Sequence, residues 1–360
     1  MHTHLPNLTG HPLRFALAGC GRIALDVHIP LLRCLSGVRL VAVADIREGA
    51  LEAARQAVPG CALFRSQEEM LDAVEADAVI IAAPSGLHAD LACQAFRRRK
   101  HVYLEKPIAI SLDEARRVVA AWRSAGVVAM PGFNYRFHPL VRELRRLLEN
   151  DRMGALLAAR TTFSIAARDP RSWRASRERG GGALLDLASH HADLVRYVFR
   201  REIVGVHASV RSIRGEDDCV AVQFHLEDGL VVQSIFSTCG PEIDSFEVFG
   251  EEGTLNFDRY FSDQVEYLAA GHRAARVQRL LQRVNSFVPK AGWLKKLRAP
   301  AHEPSYAEAL SHFVSAVRGE VSLECNLIDG YESMAVIASA EESARSGGFI
   351  ACERSIPADL

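Results

Sequence analysis

Residues 13–24, LRFALAGCGRIA, decide the fold of this chain. The first six have the apolar character of a buried strand, and the glycine turn that follows leads into residues that can start a helix. In this G-x-G-x-x-A pattern Gly19 makes the turn and Gly21 lets the backbone approach a pyrophosphate, whose charge faces the helix entered through Arg22 and Ile23. Glycines can also serve a turn alone, so the neighbouring sequence has to support a dinucleotide site.

Asp45 supplies that support. It ends a second predicted strand, Val38–Ala44, where a carboxylate can accept hydrogen bonds from the hydroxyls of an adenosine ribose. Its charge would repel the 2′-phosphate of NADP, so the sequence favours NAD. Arg47 is either a partner for that phosphate or a surface arginine in a loop, and NADP therefore stays open.

The rest of the first half alternates strands with helices, which predicts a parallel, doubly wound sheet of the Rossmann type. We assign this α/β domain to residues 13–132, after a flexible tail at residues 1–12. The predicted helices cover residues 67–74, 89–99 and 112–125, and further strands cover residues 78–82, 101–104 and 127–130.

The second half, residues 133–360, has consecutive strands and predicts an α+β domain with a large, mostly antiparallel open sheet. Asp228-Gly229 suits a tight hairpin, because glycine accepts the positive φ that such turns need. The predicted strands cover residues 156–164, 204–213, 219–226, 230–238, 246–249 and 254–257, and closing helices cover residues 306–318 and 330–346.

The composition is that of a globular protein. The chain has 360 residues, 49% of them hydrophobic and 24% charged, and a formal net charge of -1. Its length suggests two domains, and its charge gives no reason to expect nucleic-acid binding. The eight cysteines form no C-x-x-C pair and suit a reducing cytoplasm. Because no signal peptide or membrane-spanning stretch is apparent, we expect a cytoplasmic protein.

Several motifs beyond the glycine turn resemble those of the Gfo/Idh/MocA family, which includes glucose-fructose oxidoreductase and inositol dehydrogenase. The matching residues are Ala83-Pro84-Ser85 with His88, Glu105-Lys106-Pro107, Phe133-Asn134-Tyr135-Arg136-Phe137, Trp173-Arg174, and the run from Gly180 through Asp186 to His190. The resemblance implies an NAD(P)-dependent enzyme that moves a hydride between the nicotinamide and a secondary alcohol or ketone of a sugar, nucleotide sugar or cyclitol. It also implies a homodimer or homotetramer.

The resemblance further assigns site residues. Those expected to contact the cofactor, besides the glycine turn, Asp45 and Arg47, are Ala83, Pro84, Ser85, His88, Glu105, Lys106 and Asn134. Those expected to contact the substrate are Lys106, Arg136, Trp173, Arg174, Asp186 and His190. No metal is predicted.

Lys106, Asp186 and His190 are the predicted catalytic residues. A lysine beside the reacting hydroxyl favours alkoxide character, and a neutral histidine can remove the hydroxyl proton. Asp186 and His190 lie four residues apart in a predicted helix and so share a face, whereas His191 is turned about 100° away. A capping aspartate with a packed histidine, or a metal pair, are the alternatives.

Two arginine-rich stretches bear on substrate and partners. Arg168, Arg171, Arg174, Arg177 and Arg179 suit either an anionic sugar derivative or a structural loop. Residues 270–300 form a basic amphipathic insertion, which either contacts anionic lipid or an acidic partner, or packs on its own domain or across a dimer.

Two other functions remain open. One is a glycoside-cleaving enzyme that recycles its NAD within each turnover. The other is a non-catalytic nucleotide-binding sensor, although the presence of Lys106, Asp186 and His190 together argues against a sensor.

Overall fold

The computed structural model describes residues 11–150, 152–167, 173–271 and 303–352. Residues 1–10 of the predicted tail, Arg168, Arg171 and residues 272–300 of the predicted basic insertion lie outside the described residues. Within the described ranges, no helix is both long enough and apolar enough to cross a membrane.

The first sheet has six parallel strands in the order β3-β2-β1-β4-β5-β6, which confirms the predicted doubly wound sheet. The order reverses between β1 and β4, and the crevice beyond their carboxyl ends is where ligands bind in such folds. The strands are β1 (Leu13–Ala18), β2 (Val38–Ala44), β3 (Ala62–Phe64), β4 (Ala78–Ile81), β5 (His101–Leu104) and β6 (Ala129–Pro131).

Helices cover this sheet. Two of them begin at a serine whose hydroxyl accepts a hydrogen bond from a backbone N–H, of Glu69 in the case of Ser66 and of Glu114 in the case of Ser111. The helices are α1 (Ile29–Cys34), entered through a π-helical turn at Ala24–His28, α2 (Glu48–Ala57), α3 (Gln67–Ala73), α4 (His88–Arg97) and α5 (Leu112–Ala125). A further helix, α6 (Pro139–Glu149), follows the last strand of this sheet in the chain.

The second sheet has eight strands in the order β13-β12-β11-β7-β10-β9-β8-β14. All its pairs are antiparallel except β7 with β10, so the predicted mostly antiparallel sheet is confirmed. The predicted hairpin at Asp228-Gly229 is also present, with Gly229 at φ +89. The strands are β7 (Leu156–Ser164), β8 (Ile203–Arg211), β9 (Cys219–Leu226), β10 (Val231–Ser237), β11 (Ile243–Gly250), β12 (Gly253–Asp258), β13 (Glu266–Ala269) and β14 (Ile350–Ala351).

Three helices tie the two sheets together: α7 (Ser189–Phe199), α8 (Pro304–Val317) and α9 (Leu327–Ser346). Helix α8 lies in the segment predicted as the second domain but packs into the core of the first. The ring of its Phe313 meets Phe15 and Tyr103 edge-on, at centroid distances of 6.2 and 5.8 Å. Helix α9 packs on α5 from the first domain and on α7 and β8 from the second. The crevice of the first sheet is therefore held against the second.

Candidate active site

The glycine turn has the shape that a pyrophosphate requires. Gly19 has φ +93, and a Cβ added to it would lie 2.5 Å from the backbone nitrogen of Ala83, so only glycine allows this approach. A Cβ added to Gly21 would meet nothing within 4 Å. The backbone at Gly21 therefore borders open space, and the turn fits a dinucleotide. Arg22 is exposed and contacts Asp26, while the half-buried Ile23 precedes the π-helical turn.

Asp45 is fixed beside this turn by backbone hydrogen bonds. Its carboxylate accepts the N–H of Cys20 and the N–H of Arg47, both at 2.8 Å, and the Arg47 guanidinium donates two more bonds at 3.0 Å. Burial raises the pKa of Asp45, but the hydrogen bonds from Arg47 and Cys20 outweigh it and hold the pKa below its usual value. A ribose that binds Asp45 must share this carboxylate with Arg47.

Three of the predicted cofactor residues, Ala83, Pro84 and Ser85, form the loop after β4. His88 lies behind this loop, with Nδ1 2.6 Å from the carbonyl oxygen of Pro107 and Nε2 2.8 Å from that of Ala83. It is buried, which lowers its pKa. His88 therefore joins the loops that follow β4 and β5 and does not point into the crevice.

Glu105 and Asn134 approach the crevice from the ends of β5 and β6. The Glu105 carboxylate is 2.7 Å from Nε2 of His28, at the start of α1. The Asn134 amide donates to the hydroxyl of Ser305 at 2.8 Å, and its buried Oδ1 has no hydrogen-bond partner among the described residues. Both side chains link the first sheet to neighbouring helices.

Lys106 and Asp186 meet in the crevice. The Lys106 ammonium donates to Oδ1 of Asp186 at 2.9 Å and to the Asp186 carbonyl at 2.5 Å. Asp186 comes from a π-helical turn, Leu184–Ala188, that leads into α7. Nε of Arg174 lies 3.6 Å from the other Asp186 oxygen. The carboxylate thus lies between two cations.

His190 lies in the first turn of α7 next to this pair. Its ring stacks on that of Tyr135, with centroids 4.5 Å apart and planes 16° from parallel. Burial lowers the pKa of His190 well below its ordinary value, Lys106 and His191 lower it further, and Asp186 opposes them. The imidazole is therefore neutral at physiological pH, as a proton acceptor must be.

His191 faces the other way. Its ring is fully buried among Phe163, Phe236 and Phe246, at centroid distances of 5.2 to 5.4 Å. Its Nε2 lies 3.3 Å from a carboxylate oxygen of Asp244. The helix therefore directs the side chains of His190 and His191 to different surroundings, as their positions in the sequence predict.

Arg136 does not join the Lys106 cluster, although its motif suggested a substrate contact. Its guanidinium donates to Asp193 on α7, to Asp329 on α9 and to the Glu324 carbonyl, at 2.5 to 2.9 Å. The side chain is buried in this ion network. Its position indicates that Arg136 holds α7 and α9 together, which motif membership alone does not reveal.

Three consecutive glycines, Gly180 to Gly182, bring Trp173 and Arg174 next to the site. A Cβ added to Gly181 would lie 2.1 Å from the Arg174 carbonyl oxygen, so the chain can double back only because this residue is glycine. The Arg174 guanidinium stacks on Trp173 at 4.3 Å. Arg177, in contrast, donates to Glu341 at 2.5 Å and to the Ile110 carbonyl at 3.0 Å, and so fastens the loop.

Sequence reasoning missed three residues near the site. Tyr135 belongs to the motif of residues 133–137, which assigns it no role, but its ring stacks on that of His190. Tyr306 begins α8 beside His28, with ring centroids 6.3 Å apart, and burial followed by the charge of Glu105 raises its pKa. Arg259 follows β12 and has no sequence signal. In the described part of the chain, no three His, Cys, Asp or Glu side chains are grouped so as to hold a metal ion.

Comparison with protein families assigns both halves of the chain. Residues 13–133 match the model of an oxidoreductase family with an NAD-binding Rossmann fold. Residues 141–256 match the GFO/IDH/MocA C-terminal domain.

Individual proteins are similar over most of their length. The chain is 32% identical to a 1,5-anhydro-D-fructose reductase of Ensifer adhaerens over 67% of its own length and 74% of the relative's. It is 27% identical to an inositol 2-dehydrogenase of Rhizobium meliloti, over 93% of its own length and 96% of the relative's. The WlbA dehydrogenase of Bordetella pertussis, solved with NADH and UDP-GlcNAcA, has a TM-score of 0.79 at 24% identity and covers 96% of this chain and 99% of its own.

Proposed function

Given that the chain belongs to the GFO/IDH/MocA family of NAD-binding oxidoreductases, we propose that it interconverts a secondary alcohol and a ketone on a sugar, nucleotide sugar or cyclitol, with Lys106, Asp186 and His190 as its catalytic residues. The contact of Lys106 with Asp186, 2.9 Å long and beside His190, carries this proposal. It unites an ammonium, a carboxylate and a neutral imidazole at the crevice of a dinucleotide-binding sheet.

The chemistry divides among these three side chains. The neutral His190 ring takes the proton of the substrate hydroxyl. The Lys106 ammonium stabilises the negative charge that develops on the same oxygen, and Asp186 keeps that ammonium in place. In the reverse direction His190 returns the proton to the new hydroxyl. NAD, when bound, supplies the hydride acceptor, and its reduced form supplies the donor.

The residues around the glycine turn are suited to binding NAD. Gly19 and Gly21 would admit the pyrophosphate, and Asp45 would accept the ribose hydroxyls. We assign the loop at residues 83–85 and Asn134 to the nicotinamide side of the cofactor, next to Lys106. NADP fits this site less well, because Arg47 would have to leave the Asp45 carboxylate before it could bind the 2′-phosphate.

The proposal for the substrate rests on the named relatives and on Arg174, which lies beside Asp186. The similar proteins include a reductase named for a sugar, a dehydrogenase named for a cyclitol and a structure containing a nucleotide sugar. Arg174 is about one-third exposed and contacts Asp186, so its guanidinium can also meet a carboxylate or phosphate on the substrate. We therefore favour a ring that carries an anionic group.

A substrate screen tests this function. Inositols, neutral sugars, sugar acids and nucleotide sugars are each supplied with NAD or NADP, and reduction of the cofactor is followed by absorbance. We expect turnover on a member of one class, lost in Lys106→Ala and His190→Ala and kept in His11→Ala, a matched change at an exposed histidine just before β1.

Failure of every substrate with both cofactors would refute a dehydrogenase. Conversion of a glycoside without net NADH release, detected by product analysis, would instead indicate the cofactor-recycling reaction.

A further inference from the structure

Arg259 is the centre of a buried polar network behind the site. Its side chain is only 7% exposed, and each of its three nitrogens has a different partner. Nε donates to Asp244 at 2.8 Å, one terminal nitrogen donates to Glu303 at 2.7 Å, and the other donates to the Tyr135 hydroxyl at 2.8 Å. The two carboxylates thus fix the guanidinium in its plane.

The Tyr135 branch leads to His190. The Arg259 guanidinium carbon lies 4.2 Å from the centroid of the Tyr135 ring, in addition to the bond with its hydroxyl. The same ring stacks on His190. A ring held both at its hydroxyl and across its plane cannot rotate or slide freely, so the imidazole stacked on it is confined as well.

The Glu303 branch leads to Asn134. The other oxygen of Glu303 accepts a hydrogen bond from the Ser305 hydroxyl at 2.9 Å, and Ser305 in turn accepts from the Asn134 amide at 2.8 Å. Arg259 therefore connects a residue proposed to hold the nicotinamide side of the cofactor with the residue proposed to accept the proton.

We propose that Arg259 is a positioning residue for His190 and acts through the Tyr135 ring. This inference rests on the proposed function, which gives His190 its role. A catalytic group has to be held within about 0.5 Å and 10–20° of its productive geometry, and a guanidinium fixed by two carboxylates can supply such a support.

Arg259 also acts on His190 through its charge. The charged and titratable groups around the imidazole are Lys106 from the end of β5, Asp186 from the turn before α7, the Tyr135 phenol and Arg259. His191, the next residue on α7, also acts on its charge although its ring points away. After burial, the positive neighbours including Arg259 lower the pKa of His190, and Asp186 raises it. Loss of the Arg259 charge should therefore let the imidazole take up a proton at a higher pH.

Three variants separate these effects. Arg259→Lys keeps the positive charge but loses the planar guanidinium that binds three partners, and Arg259→Gln loses both. Tyr135→Phe keeps the aromatic ring but loses the hydroxyl. We expect kcat to fall about tenfold to a hundredfold in Arg259→Lys with little change in KM, and by less in Tyr135→Phe. In Arg259→Gln the acidic limb of kcat/KM should also move to higher pH.

Arg145→Lys is the matched control. Arg145 stacks on Tyr197 at 4.3 Å, in an arginine and tyrosine pair outside the site. The variant Arg145→Lys should leave both kcat and the pH profile unchanged. Arg259 variants that lose only thermal stability, with kcat and the pH profile of the wild type, would show a structural role alone and overturn the proposal.

Histidine NMR gives a readout that needs no turnover. The His190 imidazole signal, assigned with His190→Gln, should shift and titrate at higher pH in Arg259→Gln, and it should shift in Tyr135→Phe, which keeps the buried arginine in place. An unmoved signal in Tyr135→Phe would refute the link through the ring. If the wild type oxidises no substrate but the signal moves as expected, the proposed function fails and the positioning of His190 stands.

Discussion

The Lys106 ammonium lies 2.9 Å from the Asp186 carboxylate, although the two residues are 80 positions apart in the chain. The contact joins the loop after the fifth strand of the first sheet to the turn that begins α7 over the second. Both side chains are largely buried, at 14% and 6% exposure. Water and salt therefore weaken the attraction between the two charges less than they would at the surface. The contact therefore depends on the packing of the loop after β5 against the turn before α7.

Asp186→Asn tests this relationship. The amide keeps the shape and an oxygen acceptor but loses the charge that holds Lys106, so the ammonium should become mobile. We expect kcat to fall about tenfold to a hundredfold. Steady-state kinetics on the substrate found in the screen would measure it, with Asp217→Asn as a control at a half-exposed loop carboxylate. Wild-type kcat in Asp186→Asn would show that Lys106 needs no such support.

Cofactor choice should depend on the Asp45 and Arg47 pair. In Asp45→Ala the ribose loses its acceptor and Arg47 loses its ion-pair partner, so the guanidinium becomes free to meet a 2′-phosphate. We expect NADH to bind about tenfold more weakly, which corresponds to about 1.4 kcal/mol, and NADPH to bind more tightly. Fluorescence titration of both cofactors would measure this.

The double variant Asp45→Ala with Arg47→Ala is the control for that experiment. It should lose the gain for NADPH while keeping the loss for NADH. If NADPH binds equally well to the single and double variants, Arg47 has no part in cofactor choice.

The parts of the structure that were predictable from sequence depend on short-range signals. The strand and glycine turn at residues 13–24 are contiguous, and the family motifs named Lys106, Asp186 and His190 individually. Helix α6 was missed although Pro139 at its first turn and the spacing of Leu140, Val141 and Leu144 would have indicated it. The three-residue strand β3 is too short to show a period.

The features that the sequence did not predict depend on contacts between residues far apart in the chain. The motif around Arg136 did not reveal that Asp193 and Asp329 bind its guanidinium, because this ion network exists only once the Arg136 segment is packed against α7 and α9. Arg259 is similar: its partners at Tyr135, Asp244 and Glu303 are brought together by the fold. Such buried charges carry no periodic signal.

Stability should fall in acid because of buried neutral histidines, and His101 gives the clearest case. Its Nδ1 accepts the Val128 N–H at 3.0 Å, and burial lowers its pKa from 6.5 to about 4. The unfolded chain takes up a proton below pH 6.5 and the folded one only near pH 4, so the free energy of unfolding decreases across this interval. The expected loss is about 3 kcal/mol for this one group.

His101→Asn keeps a hydrogen-bond acceptor near the position of Nδ1 and removes the titration. Urea unfolding at pH 7.5 and pH 5 should therefore show a smaller difference in the variant than in the wild type. His11→Gln, at an exposed position just before β1, should behave as the wild type does. An unchanged pH dependence in His101→Asn would mean that other groups dominate acid unfolding.

The outer face of the second sheet should mediate the homodimer or homotetramer that the family resemblance implies. Ile235 on β10 is 48% exposed and lies between Thr162 on β7 and Ala221 on β9, so an apolar side chain stands among small neighbours near the middle of the sheet. Two such faces can pack over this apolar point, with the ion pair of Arg160 and Glu247 on the neighbouring strands at its edge. A glutamate at position 235 would place two like charges in a symmetric contact, and we expect Ile235→Glu to elute as a monomer in size-exclusion chromatography with light scattering. Val321→Glu, a similar change at an exposed position between the last two helices, should leave the assembly intact, and a wild-type mass for Ile235→Glu would exclude this face as the interface.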